Sequence, residues 1–171
     1  AHVHGADLGA HVLKTLVDRN GVPDAEYDDV MFGCVDTIGP LAGDIARTCW
    51  LAAGLSDEVP GTTVDRQCGS SQQAVHFAAQ GVMAGVYDIV IAGGVESMSS
   101  VPMGGIKYSA NPGLAEEWPE AYSSMGITAE LVAEKYGIKR EAMDEFGAAS
   151  HRRAADAIQS GRFADEIIPV E

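Results

Sequence analysis

Basic residues are scarce in this sequence: 11 Lys and Arg stand against 25 Asp and Glu, a formal charge of −14 over 171 residues. A field of that sign repels a nucleic-acid duplex or an anionic membrane surface, so neither is an expected partner. Cysteine is scarce too. Cys34, Cys49 and Cys68 are too few and too unevenly spaced for a disulfide framework or a four-cysteine zinc site. An odd count without a secretory leader reads as reduced thiols. No apolar run approaches the ~20 residues of a membrane span. The opening Ala-His-Val-His-Gly-Ala-Asp-Leu-Gly has neither the basic nor the apolar region of a signal peptide. It also lacks an initiator Met, so the natural N-terminus is expected upstream. These absences point to a soluble protein of the cytoplasm, or of an organelle matrix in a eukaryote. Neither Gly-x-Gly-x-x-Gly nor a P-loop is present, which leaves nucleotide phosphates without a glycine cradle. The histidines fall at no zinc-binding spacing, so no metal and no cofactor is expected.

What is present is the composition of a folded domain: 46% hydrophobic residues and 21% charged ones. A chain of this length buries roughly 70% of its unfolded surface. Leu8, Val12, Leu13, Leu16 and Val17 recur at helical spacing, and Asn20-Gly21 stops the run. A short apolar run over 30–35 reads as a buried strand, followed by a helix over 44–53 and a β-branched strand over 62–64. Residues 68–84 are good helix material, and 87–92 read as the clearest buried strand, with Gly93-Gly94 just past it. Alternating strands and helices, with continuously apolar strands, predict an α/β sheet covered on both faces.

The pattern changes after Glu96. Residues 97–124 carry Pro102, Pro112, Pro119 and several Gly and Ser with little periodicity. Two helices are predicted beyond them, over 128–136 and 141–159. The second is expected to bury Met143, Phe146, Ala149, Ala154 and Ile158, and 163–170 reads as the start of a strand.

Cys68 stands out chemically. It follows a predicted strand and a tight Asp-Arg-Gln connection and opens a helix. Unpaired N–H groups and the positive end of the helix dipole favour the thiolate, which is the nucleophile. The same N–H groups suit an oxyanion formed on a thioester. On position alone, a small buried hydrophobe is the equal alternative. Cys34, mid-strand, and Cys49, mid-helix, read as structural. Gly93-Gly94 read either as a close approach of substrate to backbone or as a turn.

Val64-Asp65-Arg66-Gln67-Cys68-Gly69-Ser70-Ser71-Gln72-Gln73-Ala74 and Ala92-Gly93-Gly94-Val95-Glu96-Ser97-Met98-Ser99 resemble the nucleophile turn and the Gly-Gly-x-Glu-Ser-Met-Ser signature of the thiolase family. Met125-Gly126-Ile127-Thr128-Ala129-Glu130 is similar to the family's Met-Gly-x-Thr-Ala-Glu stretch. Asp44-Ile45-Ala46-Arg47 resembles its second helix, and Gly161-Arg162-Phe163 with Glu166-Ile167-Ile168-Pro169 resembles the end of a later one.

The resemblance implies a βαβαβαββ core with a mixed five-stranded sheet and an inserted, partly helical loop domain. Residues 1–96 would be that core without its first strand. Residues 97–171 would begin the loop domain, irregular over 97–124 and helical over 125–160. The chain would be a fragment with little or no activity alone, the family's catalytic His, second Cys and Asn lying beyond it. Cys68 would be acylated by an acyl-CoA, releasing CoA, and its backbone N–H would contribute to the oxyanion hole. The enolate of acetyl-CoA would then attack the acyl group; the reverse direction cleaves a 3-ketoacyl-CoA, as in fatty-acid β-oxidation. Met125 would line the substrate pocket, and Ser124 stands where many members carry a His. CoA thioesters would be the substrates of a homodimer or homotetramer. A ketoacyl synthase-type condensing enzyme and a non-catalytic CoA-binding or subunit module are the alternatives.

Overall fold

The computed structural model describes residues 2–104 and 109–170. They fall into two compact units, one over the described residues up to Gly104 and one from Ser109 to Pro169.

The first unit opens with helix α1 (Gly5–Asn20), started by His4, whose Nδ1 accepts from the Ala6 N–H at 3.2 Å. Gly21 ends it in the left-handed conformation (φ 66°), returning its N–H to the Val17 carbonyl. Strand β1 (Asp29–Gly33), helix α2 (Ile45–Ala52), strand β2 (Gly61–Val64), helix α3 (Ser70–Met83) and strand β3 (Val90–Gly94) follow. The sheet order is β2-β1-β3, and both pairings are parallel, with Met31 opposite Thr62 on one side and Ala92 on the other. Of the five strands the resemblance implies, three are present among the described residues, none of them ahead of α1.

Every residue of β1 is buried, because helices cover both of its faces. Val30, Phe32 and Cys34 alternate toward Leu13, Val17, Ile45, Cys49 and Trp50 of α1 and α2. Met31, with Val64, Val90 and Ala92, faces Ala74 and Ala78 of α3. Trp50 is fully buried, edge-on to Tyr27 at 5.7 Å, and its Nε1–H donates to the Ser56 carbonyl at 2.7 Å. Each large side chain so buried contributes about 1.5–3 kcal/mol. Asp44 caps α2, and its Oδ1 also accepts from the Thr63 hydroxyl at 2.6 Å, which ties the start of α2 to β2.

At the amino end of the sheet, the Tyr87 and Thr62 hydroxyls both donate to Asp29 Oδ2, at 3.3 and 3.4 Å. Asp29 Oδ1 is buried without a partner. Burial pushes the Asp29 carboxyl above its ordinary range, against the hydrogen bonds from Val30, Tyr87 and Thr62. The Tyr87 ring lies against Gly81 of α3, where any side chain would collide with it.

The second unit holds α4 (Pro112–Glu117), α5 (Met125–Tyr136) and α6 (Arg140–Gln159), with a 3₁₀ turn over Pro119–Tyr122. Ser124 caps α5, its hydroxyl accepting from the Ile127 N–H at 3.4 Å, and Gly137 (φ 63°) ends it.

Four expectations are corrected. The strand expected over 87–92 is Val90–Gly94, because Asp88 and Ile89 donate their N–H groups to the Asp28 carboxylate, at 2.6 and 3.0 Å. Residues 97–124 are not wholly irregular, since Asn111 Oδ1 caps the short α4. No residue of α6 is buried among the described residues, and Phe146 is 75% exposed. Residues 163–170 form no strand: the Glu166 and Ile167 N–H groups both return to the Phe163 carbonyl at 3.1 Å, curling the backbone.

Candidate active site

In this sheet β1 leads to α2 on one face, and its neighbour β2 leads to α3 on the other. Where adjacent strands send their connections to opposite faces, a crevice opens outside their carboxyl ends, the usual ligand position in such sheets. Three sequence segments meet at that edge: the end of β1, the turn between β2 and α3, and the residues after β3.

The turn carries Cys68. Gln67 adopts a left-handed backbone (φ 45°), uncommon for a side chain of its size. Asp65 Oδ1 accepts from the Gln67 N–H at 3.0 Å. The Gly69 N–H donates to the Arg66 carbonyl at 3.0 Å and the Ser70 N–H to the Gln67 carbonyl at 3.1 Å. The Ser70 hydroxyl accepts from the Arg66 N–H at 2.9 Å and donates to the Gln67 carbonyl at 2.6 Å. Cys68 therefore lies in the turn one residue ahead of the cap Gly69, where the sequence places it on the helix itself. Its thiol is exposed. Among the described residues no backbone carbonyl accepts from the Cys68 N–H. At Gly69 a Cβ would meet, beyond its chain neighbours, only Arg66 atoms among the described residues, the nearest at 3.5 Å.

Glycine sets the depth at which α3 sits. A Cβ on Gly33 would lie 2.6 Å from Ser71 Cα and closer still to its amide nitrogen; one on Gly94 would lie 2.7 Å from the Gly33 carbonyl oxygen and run into the Ser71 hydroxyl. The two glycines form a notch across β1 and β3 that receives the first turn of α3. Gly93-Gly94 are thus strand residues, Gly94 making room for a helix, and neither is a turn past the strand. Glu96 then closes the edge, its Oε2 accepting from the Val35 N–H at 2.7 Å.

Sequence reasoning assigns no role to Gly33, Ser70 or Glu96. The spacing of Ser70 behind Cys68 and the place of Glu96 in the Gly-Gly-x-Glu-Ser-Met-Ser signature are the signals that could mark two of them. Cys34 is buried with its thiol 3.8 Å from Glu96 Oε1. Burial pushes the Cys49 thiol up to about 12, with Asp7 and Asp44 adding to the shift, so it carries no thiolate near neutrality.

Ser124 and Met125 belong to the second unit. The Ser124 hydroxyl is occupied as the α5 cap, a task for which serine is well suited. Met125 is 69% exposed. A separate open cavity of about 620 Å³ is lined by Ile127, Leu131, Ala133, Ile138 and Met143, among others, and by neither Cys68 nor Met125. Among the described residues no group of His, Cys, Asp and Glu could hold a metal ion, and no helix is long and apolar enough to cross a membrane.

The sequence model of the thiolase N-terminal domain matches residues 1–171. A steroid 3-ketoacyl-CoA thiolase of Mycobacterium tuberculosis is 45% identical, covered over 100% of this chain and 45% of its own length. A 3-ketoacyl-CoA thiolase of Bacillus subtilis is 46% identical, with 100% of this chain and 44% of that protein covered. The chain thus spans less than half the length of these curated relatives. The crystal structure of the Bacillus anthracis acetyl-CoA acetyltransferase superposes with a TM-score of 0.83 at 38% identity, over 99% of this chain and 45% of that one. With a parallel α/β sheet, an exposed cysteine in a turn at its carboxyl edge and the family's N-terminal-domain model matched over residues 1–171, this chain belongs to the thiolase family.

Proposed function

We propose that the protein containing this chain is an acyltransferase that makes or cleaves 3-ketoacyl-CoA through an acyl-enzyme on Cys68. The observation that carries this reading is the seat of Cys68: an exposed thiol in a turn whose Gln67 is left-handed, backed by relatives named as 3-ketoacyl-CoA thiolases. In the synthetic direction the Cys68 sulfur attacks the thioester carbonyl of an acyl-CoA. The carbon–sulfur bond to CoA breaks, CoA leaves, and the acyl group stays on Cys68. The enolate carbon of acetyl-CoA then attacks that acyl carbon and displaces the Cys68 sulfur. In the degradative direction a 3-ketoacyl-CoA is cleaved to acetyl-CoA and the Cys68 acyl-enzyme, from which free CoA takes the acyl group.

The Cys68 N–H, to which no backbone carbonyl is bonded among the described residues, supports one donor of the oxyanion hole. The exposure of Met125 supports a place for it against the acyl or pantetheine chain. CoA thioesters are substrates and no resident cofactor enters the chemistry. A homodimer or homotetramer of the cytoplasm, serving lipid breakdown such as β-oxidation, completes the reading.

Intact-protein mass spectrometry of the full-length protein after brief exposure to acetyl-CoA tests it, with Cys68→Ser alongside. One acetyl adduct, mapped to Cys68 and lost in the variant, is expected. No adduct, or one on Cys34 or Cys49, overturns the mechanism and favours a non-catalytic module.

A further inference from the structure

We propose that Ser70 is a positioning residue for the Cys68 thiol; the proposal rests on the acyl-enzyme reading above. Ser70 is 4% exposed. As the first residue of α3 it could turn its hydroxyl forward, toward the free N–H groups of the helix, as serine does when it caps. It does the opposite. The hydroxyl reaches back across Cys68, accepting from the Arg66 N–H at 2.9 Å and donating to the Gln67 carbonyl at 2.6 Å. One oxygen thereby closes a ring that runs through residues 66–70 and encloses the nucleophile.

Two further observations make that ring matter. Gln67 holds a left-handed backbone (φ 45°), which an L-residue keeps only where its surroundings impose it. Asp65 Oδ1 restrains it through the Gln67 N–H at 3.0 Å, the Ser70 N–H through the Gln67 carbonyl at 3.1 Å, and the Ser70 hydroxyl adds a shorter bond, at 2.6 Å, to that same carbonyl. The helix behind the turn cannot shift to make up for a lost restraint, because Ser71 is lodged in the notch formed by Gly33 and Gly94. Relaxation of Gln67 must then be absorbed by Cys68, the next residue, whose side chain is exposed and unrestrained by packing. Serine at position 70 thus converts strain in the turn into a fixed place for the sulfur.

The test compares wild type, Ser70→Ala and Ser70→Thr in the full-length protein, with Ala78→Gly as a control that loosens the same helix away from the turn. Two readouts are taken: the rate of Cys68 acetylation by acetyl-CoA, from quench and intact mass, and kcat and KM for thiolysis. Ser70→Ala is expected to lower the acetylation rate and kcat by about tenfold or more, with KM within about twofold of wild type. Ser70→Thr, which keeps the hydroxyl, is expected to recover most of the loss. Ala78→Gly is expected to lower the melting temperature and leave kcat intact. A wild-type acetylation rate in Ser70→Ala overturns the positioning role, as does a loss confined to KM, no recovery by Ser70→Thr, or an equal loss of kcat in Ala78→Gly. If Ser70→Ala does not fold, Ser70→Cys, which keeps the volume and weakens both hydrogen bonds, takes its place under the same criteria. Absence of an adduct on wild-type Cys68 is a different result: it removes the acyl-enzyme reading, and the positioning role with it.

Discussion

Replacing Gly33 by alanine adds one methyl group, and the notch that receives α3 makes the cost of that methyl calculable. The new Cβ would stand 2.6 Å from Ser71 Cα and closer still to the Ser71 amide nitrogen, both backbone atoms of the helix. Ordinary contact begins near 3.4 Å, so clearing Ser71 Cα alone moves the first turn of α3 by about 0.8 Å. Flexible side chains could yield to such a methyl; a helix backbone whose next turn packs on Met31 and Val64 yields only by withdrawing from the sheet. Overpacking of this kind costs about 1–3 kcal/mol. The chemical penalty is of the same size, since Cys68 precedes that turn and moves with it, and a misplacement of about 1 Å costs on the order of 10²-fold in rate, or about 2.7 kcal/mol. In the full-length protein, Gly33→Ala is therefore expected to lower kcat/KM for thiolysis by about 10- to 100-fold and to lower the melting temperature by several degrees. A wild-type rate and melting temperature would refute the claim that glycine at the strand ends sets the position of the nucleophile.

Two other predictions use the same protein. Gly147→Ala makes the identical chemical change in α6, where nothing lies within 4 Å of the added Cβ, and its expected effect has the opposite sign. Helix propensity should raise stability by about 0.5–1 kcal/mol, read as a higher melting temperature. Asp29→Asn addresses the buried carboxyl at the amino end of the sheet. Its folded-state pKa is raised, so the wild type loses stability as pH climbs from the ordinary carboxylate range of about 4 through that raised value. The variant lacks this loss. Its melting temperature relative to wild type should rise between acid and neutral pH, and a difference independent of pH would refute the assignment.

Local signals of the fold were legible where one residue type does one job. Asn20-Gly21 and Gly137 end their helices in the left-handed conformation, and the continuous apolar run around Met31 is a strand buried on both faces. What sequence reading missed depends on residues distant in the chain. β3 runs later than its apolar run suggests because the Asp28 carboxylate captures Asp88 and Ile89, and because Gly93 and Gly94 pair with Phe32 and Gly33. α3 begins after Cys68, at Ser70, because Gln67 turns the backbone left-handed, which no propensity assigns to glutamine. The stripe on α6 was visible, yet a stripe says only that a helix prefers a partner. Cys68 could be singled out by its neighbours in sequence. The parts of its seat, Gly33, Ser70 and Glu96, became evident only when three segments met at one sheet edge.

Both hydrophobic cores draw all their buried members from residues between Ala6 and Val101. That arrangement bears on biosynthesis. Translation proceeds at about 5–20 residues per second, and domains generally fold from the N-terminus as they emerge. The three described strands, α1, α2, α3 and the turn around Cys68 are thus synthesised several seconds before the last residues of the second unit are added. Throughout that interval the outer side of α3, with Val75 and Met83 49% and 87% exposed, faces the crowded surroundings of the ribosome. An emerging chain of this protein therefore carries an uncovered apolar helix, the kind of surface that chaperones shield.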